Sequence, residues 1–413
     1  MVVLAPFLFP CDVNCISSPV SHRTWALLSP ADHAVHPFTK VRPLCFRRAP
    51  LVVGFLIWLL AVGCSDENVL GPIPPFTHAF IANQGSNTVS VIDLKTFRWV
   101  KNISVGGAPT DLDESPIDDL VFVANLSSNT VSVIDSNTHE VIKTIPVGKS
   151  PIDIEIAPDG RRAYVACYAS NLVSVIDCES LAVVRSIPVG RGPRTVRISE
   201  PLNQLWVTHF VDQTVSAFSL ETGALIEKVP VLNGPFDLVL LPDSAKIFVS
   251  HAMEDKISVL ETHPPALRDE ILVGKTPMGI TLKPDGGEVY VACFDSETVT
   301  IINAATQKEN GSFPVGKNPI QGTISRDAQR LYVANYGSNT VSVLEPPTRQ
   351  VIASVPVGLQ PEALRLTPDD RYLFVLNSGS NDVSIIRADA TSERDALLTV
   401  IATGRNPAAI VIK

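Results

Sequence analysis

The chain repeats itself every 42 residues, and this period constrains the fold more than any other feature of the sequence. Eight copies of one four-residue motif read FIAN, FVAN, YVAC, WVTH, FVSH, YVAC, YVAN and FVLN. They end 42 positions apart, at Asn83, Asn125, Cys167, His209, His251, Cys293, Asn335 and Asn377. A fixed period near 40 residues is typical of architectures in which each copy forms one unit that is stable only against its neighbours.

Each copy contains the signals of four β-strands. A proline opens the first, as in residues 151–156, and a turn such as PDGR at 158–161 leads to the motif strand. The motif strand is followed by a polar turn and by an alternating run such as TVSVI at 130–134. A fourth segment then ends at a glycine, as at Gly148. Four antiparallel strands per unit predict a propeller blade, and eight units predict an all-β, eight-bladed β-propeller.

The two ends of the repeat region predict how the ring closes. The region begins at Phe76 with the second strand of a blade, and it ends at residues 407–413 with a first strand that has no successor. Pairing this C-terminal strand with the three N-terminal strands completes one blade and removes exposed strand edges.

The repeat resembles the YVTN family of β-propeller repeat proteins. Residues 332–335, YVAN, and 338–343, SNTVSV, are nearest to that family's pattern, and the resemblance covers residues 76–413. It implies the propeller fold and an envelope-associated protein without an assigned activity. Similar propellers include lactonases and the haem-binding domain of certain nitrite reductases.

The segment before the repeats resembles an export signal. Residues 51–63, LVVGFLIWLLAVG, are uncharged and follow Arg47 and Arg48, and 13 residues are too few to span a bilayer as a helix. The run ends before Cys64, as in a bacterial lipoprotein signal. We therefore expect residues 41–63 to be a signal peptide, Cys64 to carry lipid and residues 64–75 to form a tether, with ordinary secretion as the alternative. Residues 1–40 show no periodicity and are interpreted as a non-native or unstructured extension.

Charge argues against nucleic acid as a partner. The chain carries −9 overall, and residues 64–413 hold 28 basic against 40 acidic residues, or −12. Binding to a phosphate backbone depends on Lys and Arg neutralising phosphates, and an acidic body offers few of them.

Two rings of positions could nevertheless hold a site at one face of the propeller. The position after the end of the fourth strand is cationic in five of eight copies, at Lys149, Arg191, Lys275, Lys317 and Arg405. These cations are candidates for binding an anion, with surface solubility as the alternative. In the second ring, Cys167, His209, His251 and Cys293 stand on consecutive blades and are metal-ligand types. Because neighbouring positions are expected to lie about 10 Å apart, only His209 and His251 are candidates for sharing a metal.

A third set of polar residues is predicted to face the central channel. These residues could bind a cation, act as acid and base, or simply hydrate the channel. They are Asp111, Asp113, Asp153, Glu155, Thr195, Arg197, Asp237, Thr281, Gln321, Thr323 and Arg365.

The sequence favours binding over catalysis. It has no Gly-x-Ser-x-Gly elbow, no nucleotide-binding glycine loop and no Cys-x-x-Cys-His haem attachment. We expect a monomeric, non-enzymatic and cofactor-free scaffold of the cell envelope, anchored to the outer membrane. Its top face would bind an envelope protein, a glycan or a small anion. The alternative is a metal- or haem-dependent redox protein, or a lactonase-like enzyme using the channel mouth.

Overall fold

The structure is a computed structural model that describes residues 76–389 and 396–413. This part of the chain forms eight four-stranded antiparallel sheets, which we call blades 1 to 8. In each of them the strand order from the axis outwards follows the chain, apart from the closing blade. The predicted eight-bladed propeller of four-stranded blades is confirmed.

The strands of the first four blades are as follows. Blade 1 contains β1 (His78–Asn83), β2 (Thr88–Asp93), β3 (Arg98–Ser104) and the C-terminal β32 (Pro407–Ile412). Blade 2 contains β4 (Pro109–Glu114), β5 (Leu120–Asn125), β6 (Thr130–Asp135) and β7 (Glu140–Pro146). Blade 3 contains β8 (Pro151–Ile156), β9 (Arg162–Cys167), β10 (Leu172–Asp177) and β11 (Ala182–Pro188). Blade 4 contains β12 (Pro193–Ser199), β13 (Gln204–His209), β14 (Thr214–Ser219) and β15 (Leu225–Pro230).

The remaining blades repeat this arrangement. Blade 5 contains β16 (Pro235–Leu240), β17 (Lys246–His251), β18 (Lys256–Thr262) and β19 (Pro265–Leu272). Blade 6 contains β20 (Pro277–Leu282), β21 (Glu288–Cys293), β22 (Thr298–Asn303) and β23 (Lys308–Pro314), with a 3₁₀ turn at Phe294–Ser296. Blade 7 contains β24 (Pro319–Ile324), β25 (Leu331–Asn335), β26 (Thr340–Glu345) and β27 (Gln350–Pro356). Blade 8 contains β28 (Pro361–Leu366), β29 (Tyr372–Asn377), β30 (Asp382–Arg387) and β31 (Leu397–Ala402).

The ring closes through β32, as the sequence predicts. Strand β32 pairs antiparallel with β1, with Ile410 opposite Ile81 and Ile412 opposite Ala79. The amides of Thr77 and His78 both donate to the carbonyl of Lys413 at 2.8 Å. The two ends of the propeller are therefore held together without a covalent bond.

The core lies between blades because both faces of each middle strand are covered by a neighbour. The second strands are mainly hydrophobic, the third strands alternate hydrophobic and small polar residues, and nearly all of these residues are buried. The fourth strands are largely exposed, as in β7. Burial is therefore lower in the fourth strands than in the second and third strands, since only the outermost strand of a blade faces solvent.

Several sequence predictions lie outside the described residues. They are the extension at 1–40, the signal peptide at 41–63, the tether at 64–75 and the lipidation of Cys64. Within the described part of the chain, no helix has the length and apolar character needed to cross a bilayer.

Candidate functional site

The connections between blades and the turns between second and third strands lie on one face, which we call the top face. The connection at 147–150 is held by both blades that it joins. Asn129 Oδ1 of blade 2 accepts from the amide of Ser150 at 2.9 Å, and Ser170 Oγ of blade 3 accepts from the amide of Lys149. Equivalent bonds recur around the ring, for example from Ala108 to Asn87, Gly192 to Asn171, Gln360 to Asn339 and Lys317 to Ser338. In the blades that carry it, the Ser-Asn pair of the repeat therefore holds the connections in place.

The last residue of each second strand fits against the preceding connection. A Cβ at Gly106 would lie 2.7 Å from Asn125 Cγ, and one at Gly148 would lie 2.6 Å from Cys167 Cβ, so these positions require glycine. Asn125 Nδ2 donates to Thr130 Oγ1 at 3.2 Å and to Ser132 Oγ at 3.0 Å. The ring of Asn, Cys and His residues thus packs the blade junctions.

His209 and His251 follow this packing pattern. Both rings are fully buried. His209 Nδ1 lies 3.1 Å from Thr214 Oγ1, and His251 Nε2 lies 2.9 Å from Ser258 Oγ, so each ring contacts the third strand of its own blade. Burial lowers the pKa of each imidazole to about 4. Among the described residues, no group of three or more His, Cys, Asp and Glu side chains could hold a metal ion. The metal interpretation of this pair gains no support from the arrangement.

The five predicted cations all stand exposed on the top face. Arg191 is already paired, because its Nε lies 2.6 Å from Asp212 Oδ1. Asp212 also lies 3.4 Å from Lys228 Nζ. Hydrogen bonds from the backbone amide and the guanidinium of Arg191, together with Lys228, lower the pKa of Asp212 to about 2. The other four form no salt bridge with any residue that the structure describes; they are Lys149, Lys275, Lys317 and Arg405.

Half-buried aromatic residues share this face and were missed by the sequence analysis. The first position of the turn after the second strand is aromatic in four blades, at Tyr168, Phe210, Phe294 and Tyr336. The rings of Phe294 and Tyr336 approach to 6.4 Å between centroids, across blades 6 and 7. The sequence contained this signal, because the position after the repeated motif is aromatic in these four copies and Gln, Leu, Ala or Ser in the other four.

A cation and an aromatic ring also meet at the upper end of the channel wall. The guanidinium of Arg194, on β12, lies over the ring of Phe236, on β16, at 3.7 Å from the centroid. Desolvation lowers the pKa of Arg194 without removing its charge. Tyr168 lies close by, since a Cβ on Gly192 would meet its ring at 3.2 Å. Aromatic surface and positive charge are therefore adjacent at the mouth of the channel.

The predicted channel carboxylates bridge neighbouring inner strands. Asp153 Oδ2 accepts from the amide of Val196 at 2.7 Å, and Glu155 Oε1 accepts from that of Ile198 at 3.0 Å, so both join blades 3 and 4. The same contact recurs from Asp111 to Ile154, from Asp113 to Ile156 and from Asp237 to Ile280. These side chains consequently have a structural role that alternation along the strand did not reveal.

Arg197 stands at the centre of these acids. Its guanidinium lies 3.4 Å from Asp153, 3.6 Å from Glu155 and 3.6 Å from Asp237. Desolvation nevertheless raises the pKa of Glu155 to about 7, and it also raises the pKa values of Asp111, Asp113 and Asp237. The excess of carboxylates over guanidinium groups makes this part of the channel negative and able to take up protons near neutral pH.

A second acidic contact lies further along the channel. Arg365 of blade 8 reaches Glu114 of blade 2 at 3.5 Å. Desolvation raises the pKa of Glu114 to about 7 despite the opposing effect of Arg365. The exposed Arg365 and Gln321 and the half-buried Thr281 and Thr323 complete the polar wall, while Thr195 is buried and donates to the carbonyl of Phe236. An anion entering from the top face would therefore meet the exposed cations of the connections, beside Asp255, Asp295 and Glu297 of the neighbouring turns, before it reached the carboxylates of the channel.

A family model described as a YNCE-like beta-propeller matches residues 67–157, 118–201 and 285–413, which together make up more than half of the chain. The chain belongs to the YNCE-like β-propeller family. Within the propeller, the family model leaves residues 202–284 unmatched. This stretch contains His209 and His251, and it has Leu232 where the other connections carry glycine. The repeats that depart most from the pattern are thus also those that the family model does not match.

Solved structures share the propeller fold. Hydrazine synthase of Kuenenia stuttgartiensis is 25% identical, with 65% of this chain and 92% of that chain covered and a TM-score of 0.55. Dihydro-haem d1 dehydrogenase NirN in complex with DHE is 14% identical, with 83% and 76% covered and a TM-score of 0.70. A functionally unknown protein from Desulfotomaculum acetoxidans DSM 771 is 15% identical, with 81% and 98% covered and a TM-score of 0.56. The last two likenesses show the fold alone. No curated protein matches the chain.

Proposed function

We propose that this propeller is a non-catalytic binding module whose top face takes a ligand with anionic groups and an apolar or aromatic body. The observation that carries the proposal is the set of four exposed cations that form no salt bridge with a described residue, on the same face as the aromatic turn residues. Such a ligand would pair its charges with Lys149, Lys275, Lys317 and Arg405. Its apolar part would pack on the half-buried rings of Phe294 and Tyr336.

The charge distribution supports binding at the surface of the channel rather than within it. The four cations form no salt bridge with any residue that the structure describes, which leaves them available to an anion on an otherwise acidic protein. The carboxylates around Arg197 oppose the entry of an anion into the channel. A small organic anion, an acidic glycan or an acidic segment of an envelope protein all have this chemistry.

Charge reversal on the top face tests the proposal. The triple variant K149E/K275E/K317E should lose most of its affinity for 8-anilinonaphthalene-1-sulfonate, an anionic aromatic probe, measured by fluorescence titration. The matched control K95E/K143E/K308E makes the same change in net charge at exposed lysines away from the top face. Wild-type affinity should also fall as salt rises from 50 to about 500 mM, because exposed charges are screened. Equal affinities in both triple variants would refute the role of the cations.

A haem-type ligand at the same mouth is the second candidate. It is favoured by the likeness to NirN, whose structure is described in complex with DHE, over 83% of this chain. A tetrapyrrole is a planar apolar body with carboxylates, and the top face presents both aromatic rings and cations. A visible absorption band in the purified protein, or one that appears on adding haemin and is lost in K149E/K275E/K317E, would support this candidate.

We further propose that the module works at the cell envelope as a YVTN-type lipoprotein. The apolar run at 51–63 followed by Cys64 supports export and lipid attachment. Expression of the full chain and of Cys64→Ala, followed by fractionation and mass spectrometry of the N-terminal peptide, tests this. The wild type should stay with the membrane and carry acyl chains on Cys64, whereas the variant should not.

A further inference from the structure

The face opposite the top face contains a second kind of blade junction. There, the first residue of a second strand contacts the residue with positive φ in the next blade's turn between third and fourth strands. Glu288 of blade 6 and Arg349 of blade 7 form a salt bridge of 2.5 Å. Tyr372 of blade 8 and Phe97 of blade 1 meet edge to face, with 4.7 Å between ring centroids. These junctions are closed by pairs of complementary side chains.

The junction between blades 2 and 3 uses an apolar pair at the same positions. Leu120 and Leu181 pack against one core cluster. Leu181 has a φ of 50°, like the turn residues of the other junctions. The position therefore accepts different side chains, provided that each matches its partner across the junction.

The junction between the closing blade 1 and blade 2 holds two histidines instead. The rings of His78 and His139 are 4.5 Å apart between centroids, at an interplanar angle of 77°. His78 Nδ1 is 2.8 Å from Thr77 Oγ1, which leaves its Nε2 for another partner. His139 Nε2 is buried and has no hydrogen-bond partner among the described residues. A buried imidazole nitrogen without a partner costs stability.

An imidazole that is neutral at the pH of the experiment carries a nitrogen lone pair, which is the form that binds metal.

We propose that His78 and His139 together bind a divalent transition-metal ion of the nickel, copper and zinc group. Imidazole nitrogens bind these ions at about 2.0–2.1 Å, so two rings on one ion at an angle of about 90–110° have centroids roughly 4.5–5.2 Å apart. The observed spacing of 4.5 Å falls at the edge of this range. The protein supplies these two ligands alone, because no third His, Cys, Asp or Glu of the described residues joins them.

Such an ion would join the closing blade to its neighbour. His78 begins β1, whose pairing with β32 closes the ring, and His139 belongs to the turn that precedes β7. Binding to the folded state alone would raise the thermal stability of the ring with metal concentration. This role is independent of ligand binding at the top face.

The test titrates the full chain with Zn²⁺ and Cu²⁺ by calorimetry and thermal shift, with Mg²⁺ as the negative control. His139→Asn keeps a residue that tolerates positive φ and should weaken Zn²⁺ binding by at least about tenfold. The double variant H78L/H139L reproduces the Leu120–Leu181 pair of the next junction and should abolish this site. The matched control His263→Ala removes an exposed histidine elsewhere and should leave affinity unchanged.

Two outcomes would overturn the proposal. One is unchanged Zn²⁺ affinity and stoichiometry in H78L/H139L, and the other is an absence of Zn²⁺ and Cu²⁺ binding to the wild type at pH 7.5. The Cu²⁺ electron paramagnetic resonance spectrum gives an independent readout, since coupling to two histidine nitrogens is expected in the wild type and to fewer in His139→Asn. If the double variant does not fold, His139→Asn and the spectrum decide the question.

Discussion

Replacing Glu155 by glutamine should flatten the dependence of stability on pH. Glu155 accepts a hydrogen bond from the amide of Ile198 at 3.0 Å and lies 3.6 Å from the guanidinium of Arg197. A glutamine oxygen can accept the same amide hydrogen bond but does not titrate. The substitution therefore removes one proton-binding group while keeping the bridge between blades 3 and 4.

The sign and size of the effect follow from the raised pKa. Desolvation moves the pKa of Glu155 from 4.5 to about 7, so the folded state holds a proton that the unfolded chain releases. The stability contributed by this group is complete below pH 4.5 and is lost as the pH rises through 7. A difference of about 2.5 pH units corresponds to about 3 kcal/mol at most. For a propeller of this size, that is a change in Tm of roughly 3–5 °C.

Thermal unfolding followed by circular dichroism between pH 5 and 8 measures this effect. The wild type should lose more stability over this range than Glu155→Gln, by roughly 3–5 °C in Tm. Glu179→Gln, which removes an exposed carboxylate from a turn of the same blade, is the matched control. Identical pH profiles for the wild type and Glu155→Gln would refute the assignment of a buried, protonating carboxyl at this position.

Two further predictions concern the ring itself. Deleting residues 407–413 removes the buried side chains of Ile410, Val411 and Ile412, each of which contributes roughly 1.5–3 kcal/mol to the stability of the fold. The deletion should therefore abolish the cooperative unfolding transition. An unchanged urea midpoint would contradict closure of the ring by β32. Gly148→Ala would place a Cβ 2.6 Å from Cys167 Cβ and should destabilise the ring by about 1–3 kcal/mol, with partial recovery in G148A/C167G, which removes the Cβ of residue 167, measured by chemical denaturation. Additive effects of the two substitutions would show that they do not share this contact.

The sequence predicted the architecture because the repeat is a property of every blade at once. The 42-residue period, the four strand signals and the unpaired last strand are all local patterns, and the observed pairing of β32 with β1 follows from them. The precise partners across blade junctions could not be predicted in this way. The bond from Asp153 to Val196 spans 43 residues and depends on how adjacent blades are rotated.

The candidate site was only partly predictable for the same reason. The exposed cations were predicted from their position after the fourth strand, but the pairing of Arg191 with Asp212 was not. His209 and His251 were candidates for sharing a metal, but the sequence did not predict that each ring contacts the third strand of its own blade. The pair of His78 and His139 escaped notice because the two residues stand at different positions of the repeat and meet only across a junction.

Hydrogen exchange with and without a saturating anionic aromatic probe tests the central claim most directly. We predict that 8-anilinonaphthalene-1-sulfonate slows the exchange of backbone amide hydrogens in the top-face connections and turns, especially at 273–276, 294–297, 315–318 and 336–339. Turns on the opposite face, such as 136–139 and 305–307, should be unaffected. Protection confined to the opposite face, or the same protection in K149E/K275E/K317E, would contradict binding at the top face.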